Sequence, residues 1–312
     1  MDPQVGLSQW KTPEAAARFR DLYAGACDDV CRELEAGGRP KPEILDVASR
    51  FGTTRCLHWP GAGDPVLLLH GHNGSWLAWA PLLAELADRD VYTLDTVGDP
   101  GGSTQIAPIP SVAELVEWLR ETLDALDLQR PNVMGMSYGG WIAAHFAATH
   151  PERVAALVLI EPAIGTVTMG RVLRQGMKVA LAQLLPTPLR RAYARRIDAE
   201  PLVFDVRQRK PAALAFRKFD RRIPTYARLD DPTPDHMLTA IGAPTLLVLA
   251  GRSELHDITE VADRTRRLIR HLDIHIVDGA SHAVPVTRPR AVADIVESFL
   301  DRTDGTTHHD EP

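Results

Sequence analysis

The chain has 312 residues, 45% hydrophobic and 24% charged, a composition that fits a folded globular protein and excludes a disordered, collagenous or disulfide-scaffold chain. Its net charge of −6, from 35 basic and 41 acidic residues, argues against a nucleic-acid partner, because duplex binding rests on neutralising phosphates. No apolar run is long enough to span a membrane, and the opening MDPQVGLSQW has no basic stretch followed by an apolar one, so the expectation is a cytoplasmic protein with no membrane partner.

The first element is a helix from Thr12 to Leu34. Thr12 is an N-cap, Pro13 sits in the first turn, and Ala16, Phe19, Leu22, Tyr23 and Val30 fall roughly on one face. Gly37-Gly38 ends it, so residues 1–40 read as a helical N-terminal extension. Cys27 and Cys31 lie at helical spacing within it and Cys56 lies beyond; with no neighbouring His or Cys run, all three read as reduced structural thiols. Two extended stretches, Ile44 to Ser49 and Thr53 to Trp59, flank Gly52 as an edge hairpin.

From there the pattern changes to short apolar runs, each followed by a loop and mostly by a helix. The runs begin at Val66, Val91, Asn132, Ala156 and Thr245, and a further strand runs from Ile274 to Val277. Helices are expected from Trp76 to Ala87, Val112 to Leu126, Tyr138 to Ala148, Glu260 to His271 and Pro289 to Asp301. Near-continuous apolar strands alternating with helices imply an α/β fold, a mostly parallel twisted sheet with helices on both faces. Residues 41–162 and 240–302 form that core. Residues 163–239 break the rhythm with many prolines and read as an inserted helical lid, while 303–312 read as a flexible tail. Gly165 to Asp235 holds 15 Lys and Arg against 7 Asp and Glu, a net of +8 that leaves −14 for the rest.

Gly135-Met136-Ser137-Tyr138-Gly139 falls between a strand and an apolar helix. There, G-x-S-x-G makes a sharp turn that lifts the serine above the sheet edge, so Ser137 is the expected nucleophile. A serine needs a base, itself oriented by an acid. His282, in the loop after the last strand, is the expected base; His145 and His150 have duller explanations within and at the end of a helix. The expected acid is Glu254, three residues past Gly251 in the loop after the preceding strand. Asp257 is its rival, with helix N-capping as its other explanation. The oxyanion donors are expected to be the backbone N–H groups of Tyr138 and His72, the latter in the His70-Gly71-His72-Asn73-Gly74 loop. No carboxylate cluster accompanies His70 and His72, so neither metal nor cofactor is implied.

On these residues, together with His150-Pro151-Glu152-Arg153-Val154 and Ala280-Ser281-His282, the chain resembles the α/β-hydrolase superfamily over roughly residues 40–302. A narrower resemblance is to bacterial carboxylesterases of the naproxen-esterase type, carried by Phe51-Gly52-Thr53-Thr54, Asp95-Thr96-Val97-Gly98-Asp99 and the glutamate in Gly251-Arg252-Ser253-Glu254. That resemblance implies the α/β-hydrolase fold and a triad of Ser137, Glu254 and His282. Ser281 departs from the glycine usual before the histidine. The function implied is cleavage of a small-molecule carboxylic ester through an acyl-enzyme, by a monomer or homodimer. The alternative is a thioesterase or cyclase acting on a bulky or anionic acyl intermediate, suggested by the basic lid. A non-catalytic ligand-binding protein of the same fold is the third reading, disfavoured because all three triad residues are present.

Overall fold

The computed structural model describes residues 10–86, 88–165, 174, 177–178, 181–182, 184–199, 210–211, 214 and 233–307. Among them a mixed, mostly parallel sheet runs in the order β1-β2-β4-β3-β6-β7-β8-β9, with a short β5 (Thr104–Gln105) beside β2. The other strands are β1 (Glu43–Ser49), β2 (Gly52–Trp59), β3 (Ala62–Leu69), β4 (Arg89–Leu94), β6 (Asn132–Met136), β7 (Leu157–Ile160), β8 (Thr245–Ala250) and β9 (Leu272–Val277). The hairpin β1-β2 is antiparallel and joins β4 antiparallel, whereas every pairing from β4 through β9 is parallel.

Alternation along β3 explains how one strand serves two cores. Leu67 and Leu69 point to the face covered by the helices Val112–Ala125, Tyr138–Thr149 and Ile258–Leu268; Val66 and Leu68 point to the face covered by Pro13–Ala36, Ala80–Glu85 and Pro289–Thr307. Each such side chain is essentially inaccessible and contributes roughly 1.5–3 kcal/mol of burial. The N-terminal helix buries Ala15, Phe19, Tyr23, Ala26, Val30 and Leu34, and the Tyr23 hydroxyl donates to the Asp95 carboxylate beyond β4. Burial pushes the Cys27 and Cys31 thiols up to about 12 and about 11, and the Cys56 thiol also rises, so all three stay protonated.

Two elements differ from the sequence expectation. The segment expected as one helix from Trp76 is a 3₁₀ turn (Trp76–Trp79) followed by a helix restarting at Ala80, because Pro81 brings no N–H to a continuing ladder. The last helix extends through Thr307, so residues 303–307 of the expected tail are helical; 308–312 lie outside the described residues. In the expected lid, the helix Thr187–Arg196 carries Arg190-Arg191 and Arg195-Arg196. The paired basic residues Arg207-Gln208-Arg209, Arg217-Lys218 and Arg221-Arg222 lie outside the described residues. No helix among the described residues is long and apolar enough to cross a membrane.

Candidate active site

Parallel strands deliver their loops to one edge, and the candidate site is built from the loops after β3, β4, β6, β7, β8 and β9. Ser137 connects β6 to the following helix at φ +54° and ψ −114°, a left-handed conformation that a non-glycine residue adopts only under constraint. Its N–H donates to the Ile160 carbonyl, and its carbonyl accepts from Trp141 and Ala163, each at 3.0 Å. The flanking glycines are sterically required: a Cβ at position 139 would lie 2.0 Å from the Leu69 carbonyl oxygen, and one at 135 would lie 2.3 Å from the Gly139 oxygen.

Beside this turn lies the loop after β3. A Cβ at Gly71 would sit 3.5 Å from Ser137 Cβ, and the His72 ring meets the Tyr138 ring edge-on at 5.5 Å. His70 braces the loop from within. Its Nδ1–H donates to the Gly71 carbonyl at 2.8 Å while Nε2 accepts from the Thr96 N–H at 3.0 Å, and burial lowers its pKa, leaving a neutral imidazole with one defined tautomer. Asp99 Oδ1 accepts from the Asn73 N–H at 3.2 Å and stands 3.7 Å from His72 Nδ1. Burial raises the Asp99 pKa to about 8, the Asn73 hydrogen bond opposing this and the Asp95 charge adding to it.

The carboxylate beside the His282 ring is not the one expected. Glu254 does not meet the His282 ring; one of its carboxylate oxygens accepts from the His282 backbone N–H at 3.2 Å. The carboxylate facing the imidazole is Glu161, whose Oε2 lies 3.0 Å from His282 Nδ1. A carboxylate accepts only, so Nδ1 carries a proton, and the neutral form of the ring presents its lone pair at Nε2. Glu161 is fully enclosed, with φ +46°, directly after β7. Its Oε1 accepts from the Ala250 N–H at 2.7 Å and its Oε2 from the Ser253 hydroxyl at 2.6 Å; His256 Nε2 stands 3.7 Å from Oε1. Burial alone would raise its pKa, but His256 and His282 outweigh that and hold it at about 2. Asp257 fills its other role, capping the helix Ile258–Leu268 by accepting from Thr259 and Glu260.

Ser281, the departure from glycine, also has a structural use. Its N–H donates to Asp198 Oδ2 and its hydroxyl to the Asp198 carbonyl, both at 2.8 Å. Thr287 and Arg288 bind the same Asp198 carboxylate, so the histidine loop is moored to a residue just beyond the helix Thr187–Arg196. Sequence reasoning missed Glu161, Asp99, His256 and Asp198. Glu161 had a signal: a lone charge ending a four-residue apolar strand, where α/β sheets gather ligand-binding groups. A cavity of about 420 Å³ adjoins this end of the site; Arg174, Lys178, Arg252, Ser253, Glu254 and His256 are among its lining residues.

A family profile described as alpha/beta hydrolase fold matches residues 64–289. The carboxylesterase YbfK of Bacillus subtilis is 26% identical over 262 residues, covering 83% of this chain and 88% of that protein. A putative 2-succinyl-6-hydroxy-2,4-cyclohexadiene-1-carboxylate synthase of the same organism is 29% identical over 262 residues, covering 77% of this chain and 92% of the relative. Among solved structures, naproxen esterase (carboxylesterase NP) from Bacillus subtilis superposes with a TM-score of 0.74, covering 93% of this chain and 99% of that one; at 19% identity this is a likeness of fold.

Proposed function

The chain belongs to the alpha/beta hydrolase fold family, and on that premise we propose that it hydrolyses carboxylic esters through an acyl-enzyme on Ser137, with His282 as base and Glu161 as its acid. The observation that carries this reading is the 3.0 Å pairing of His282 Nδ1 with an enclosed, ionised Glu161, which leaves Nε2 as the proton acceptor on the imidazole. Ser137 Oγ attacks the ester carbonyl and its proton passes to Nε2. Collapse of the tetrahedral intermediate expels the alcohol, which takes that proton. Water then attacks the acyl-enzyme with Nε2 again as base, releasing the acid and restoring the serine. Throughout, Glu161 offsets the positive charge of the imidazolium. The N–H groups of Tyr138 and His72 receive the oxyanion, the second from a loop held by His70 and Asp99.

Intact-mass spectrometry after exposure to a fluorophosphonate tests this. A single adduct mapping to Ser137, absent in His282→Ala, is expected; a folded protein that takes up no label would remove Ser137 from the mechanism. Ser137→Ala is expected to lower p-nitrophenyl acetate turnover at least about a thousandfold.

A second reading, a thioesterase or cyclase for a bulky or anionic acyl intermediate, is favoured by the cations Arg174 and Lys178 at the cavity beside the acid. Rates on matched acyl esters and acyl-CoA thioesters separate the two, with a thioester preference required for the second.

A further inference from the structure

The cavity at the acid end of the site contains an unused set of charges. Arg174, Lys178 and Arg252 supply three cations, and Glu254 and Asp257 two carboxylates. Both carboxylates already have partners. Glu254 accepts from the His282 N–H, and Asp257 accepts from the first amides of the helix Ile258–Leu268. Arg252 donates to the Arg196 carbonyl at 3.1 Å. Among the described residues, neither Arg174 nor Lys178 has an ion pair or a hydrogen-bond partner. Buried His256 also lines the cavity; its Nε2 faces Glu161 Oε1 at 3.7 Å, and its Nδ1 makes no hydrogen bond among the described residues. A buried ring nitrogen without a partner is costly unless something else supplies one.

We infer that this cavity is a binding site for the carboxylate of a small organic molecule, held by Arg174 and Lys178, with His256 supplying a ring N–H donor from the wall. This rests on the hydrolase reading only for its catalytic consequences. With His256 set against the Glu161 carboxylate, the remaining three cations against two carboxylates leave one positive charge to neutralise, which matches a singly charged carboxylate better than a doubly charged phosphate. The volume of about 420 Å³ suits a small metabolite. Occupancy bears directly on the catalytic groups, because three wall residues support them. Ser253 donates to Glu161, His256 stands against Glu161, and Glu254 holds the His282 backbone.

The carboxylate has two possible sources, the far end of the substrate itself or a separate effector, and the test distinguishes them. Arg174→Gln/Lys178→Gln is compared with the unaltered protein; both positions lie outside the catalytic groups. In the first arm, kcat/KM is measured on p-nitrophenyl half-esters of glutaric, adipic and suberic acids and on the same esters with the free carboxyl methylated. A preference for the charged ester of at least about fivefold, weakened by salt and absent from the double variant, assigns the carboxylate to the substrate. In the second arm, valerate, a singly charged carboxylate, is titrated into p-nitrophenyl acetate turnover. A saturable change in rate that the double variant lacks assigns it to an effector. In the third arm, thermal unfolding with valerate needs no turnover; a rise in Tm that the double variant lacks supports the site even if the esterase reading fails. The inference is overturned if all three effects are missing from the unaltered protein, or if they persist in the double variant. Absence of the Ser137 adduct with a retained valerate shift would instead overturn only the catalytic reading.

Discussion

Glu161 and Asp99 are both enclosed carboxylates in loops at the same edge of the sheet, one after β7 and the other after β4, yet their ionisation is driven in opposite directions. Around Glu161 stand a backbone N–H, a serine hydroxyl and two imidazoles, and its pKa falls to about 2. Asp99 has one amide donor, the partly exposed His72 ring 3.7 Å away and an acidic neighbour, Asp95, and its pKa climbs to about 8. Burial is common to both. What decides the charge is the number and kind of groups turned toward the oxygens, so the same sheet edge carries an anion beside His282 and a neutral acid beneath the proposed oxyanion loop.

The sharpest way to break this comparison is Glu161→Gln. It is expected to lower kcat by about a thousandfold to ten-thousandfold, because the imidazole loses the group that fixes its tautomer. Glu254→Gln, touching only a backbone N–H, is expected to cost less than about tenfold, an order-of-magnitude figure for one charge-assisted hydrogen bond. If these two rankings were exchanged in steady-state assays, Glu254 would regain the place expected from sequence. A linked stability effect accompanies Glu161. Its pKa is depressed from 4.5, so its stabilisation is present above that value and is lost as pH falls toward about 2. Denaturant melts across that window should show less acid sensitivity in Glu161→Gln.

Asp198 sharpens the comparison, since its carboxylate takes Ser281, Thr287 and Arg288 together but never reaches the imidazole. Asp198→Ala is expected to reduce kcat roughly tenfold to a hundredfold through misplacement of the histidine loop, with KM changed far less. Retained kcat would show that the loop holds its shape unaided.

Asp99→Asn probes the other extreme. The folded pKa of about 8 lies above the ordinary 3.8, so the native state keeps a proton that the unfolded chain releases. Stability from this group therefore declines as pH rises between those values, by up to about 1.4 kcal/mol per pH unit. The asparagine variant, which preserves an acceptor for Asn73, should flatten that slope in urea melts; equal slopes would mean that Asp99 is ionised in the fold. Smallest is Asp257→Ala, expected to cost about 1 kcal/mol as a lost helix cap while leaving turnover unchanged. A collapse of activity there would reopen its candidacy as the acid.

The strands and the serine turn were legible in sequence because each is a local pattern. Val66 to Leu69 is apolar at every position, and Ser137 sits within three residues of every glycine its turn requires. The position of His282 in the loop after the last strand was readable too. The carboxylate that faces its ring was not, because its identity depends on register between chain segments far apart. The Glu161 N–H pairs with the Val248 carbonyl, and the Ala250 N–H reaches back to Glu161 Oε1. That alignment of β7 on β8 turns Glu161 toward His282, 121 positions away, and lets Glu254 reach only its backbone. The neutral state of Asp99 was hidden for the same reason, being a sum over neighbours drawn from several loops.

The helices Pro13–Ala36 and Pro289–Thr307 cover the same face of the sheet, with Phe19, Tyr23 and Val30 in one cluster with Val292, Val296 and Phe299. During synthesis the first of these leaves the ribosome almost a whole chain length ahead of the second. It cannot find Asp95 until β4 has followed it, and the cluster cannot close until the final helix is released. Until the segment Trp76–Glu85 and β4 have followed it, the nascent chain therefore carries an amphipathic helix with an uncovered apolar face, a ready site for chaperones that bind such faces before folding is complete.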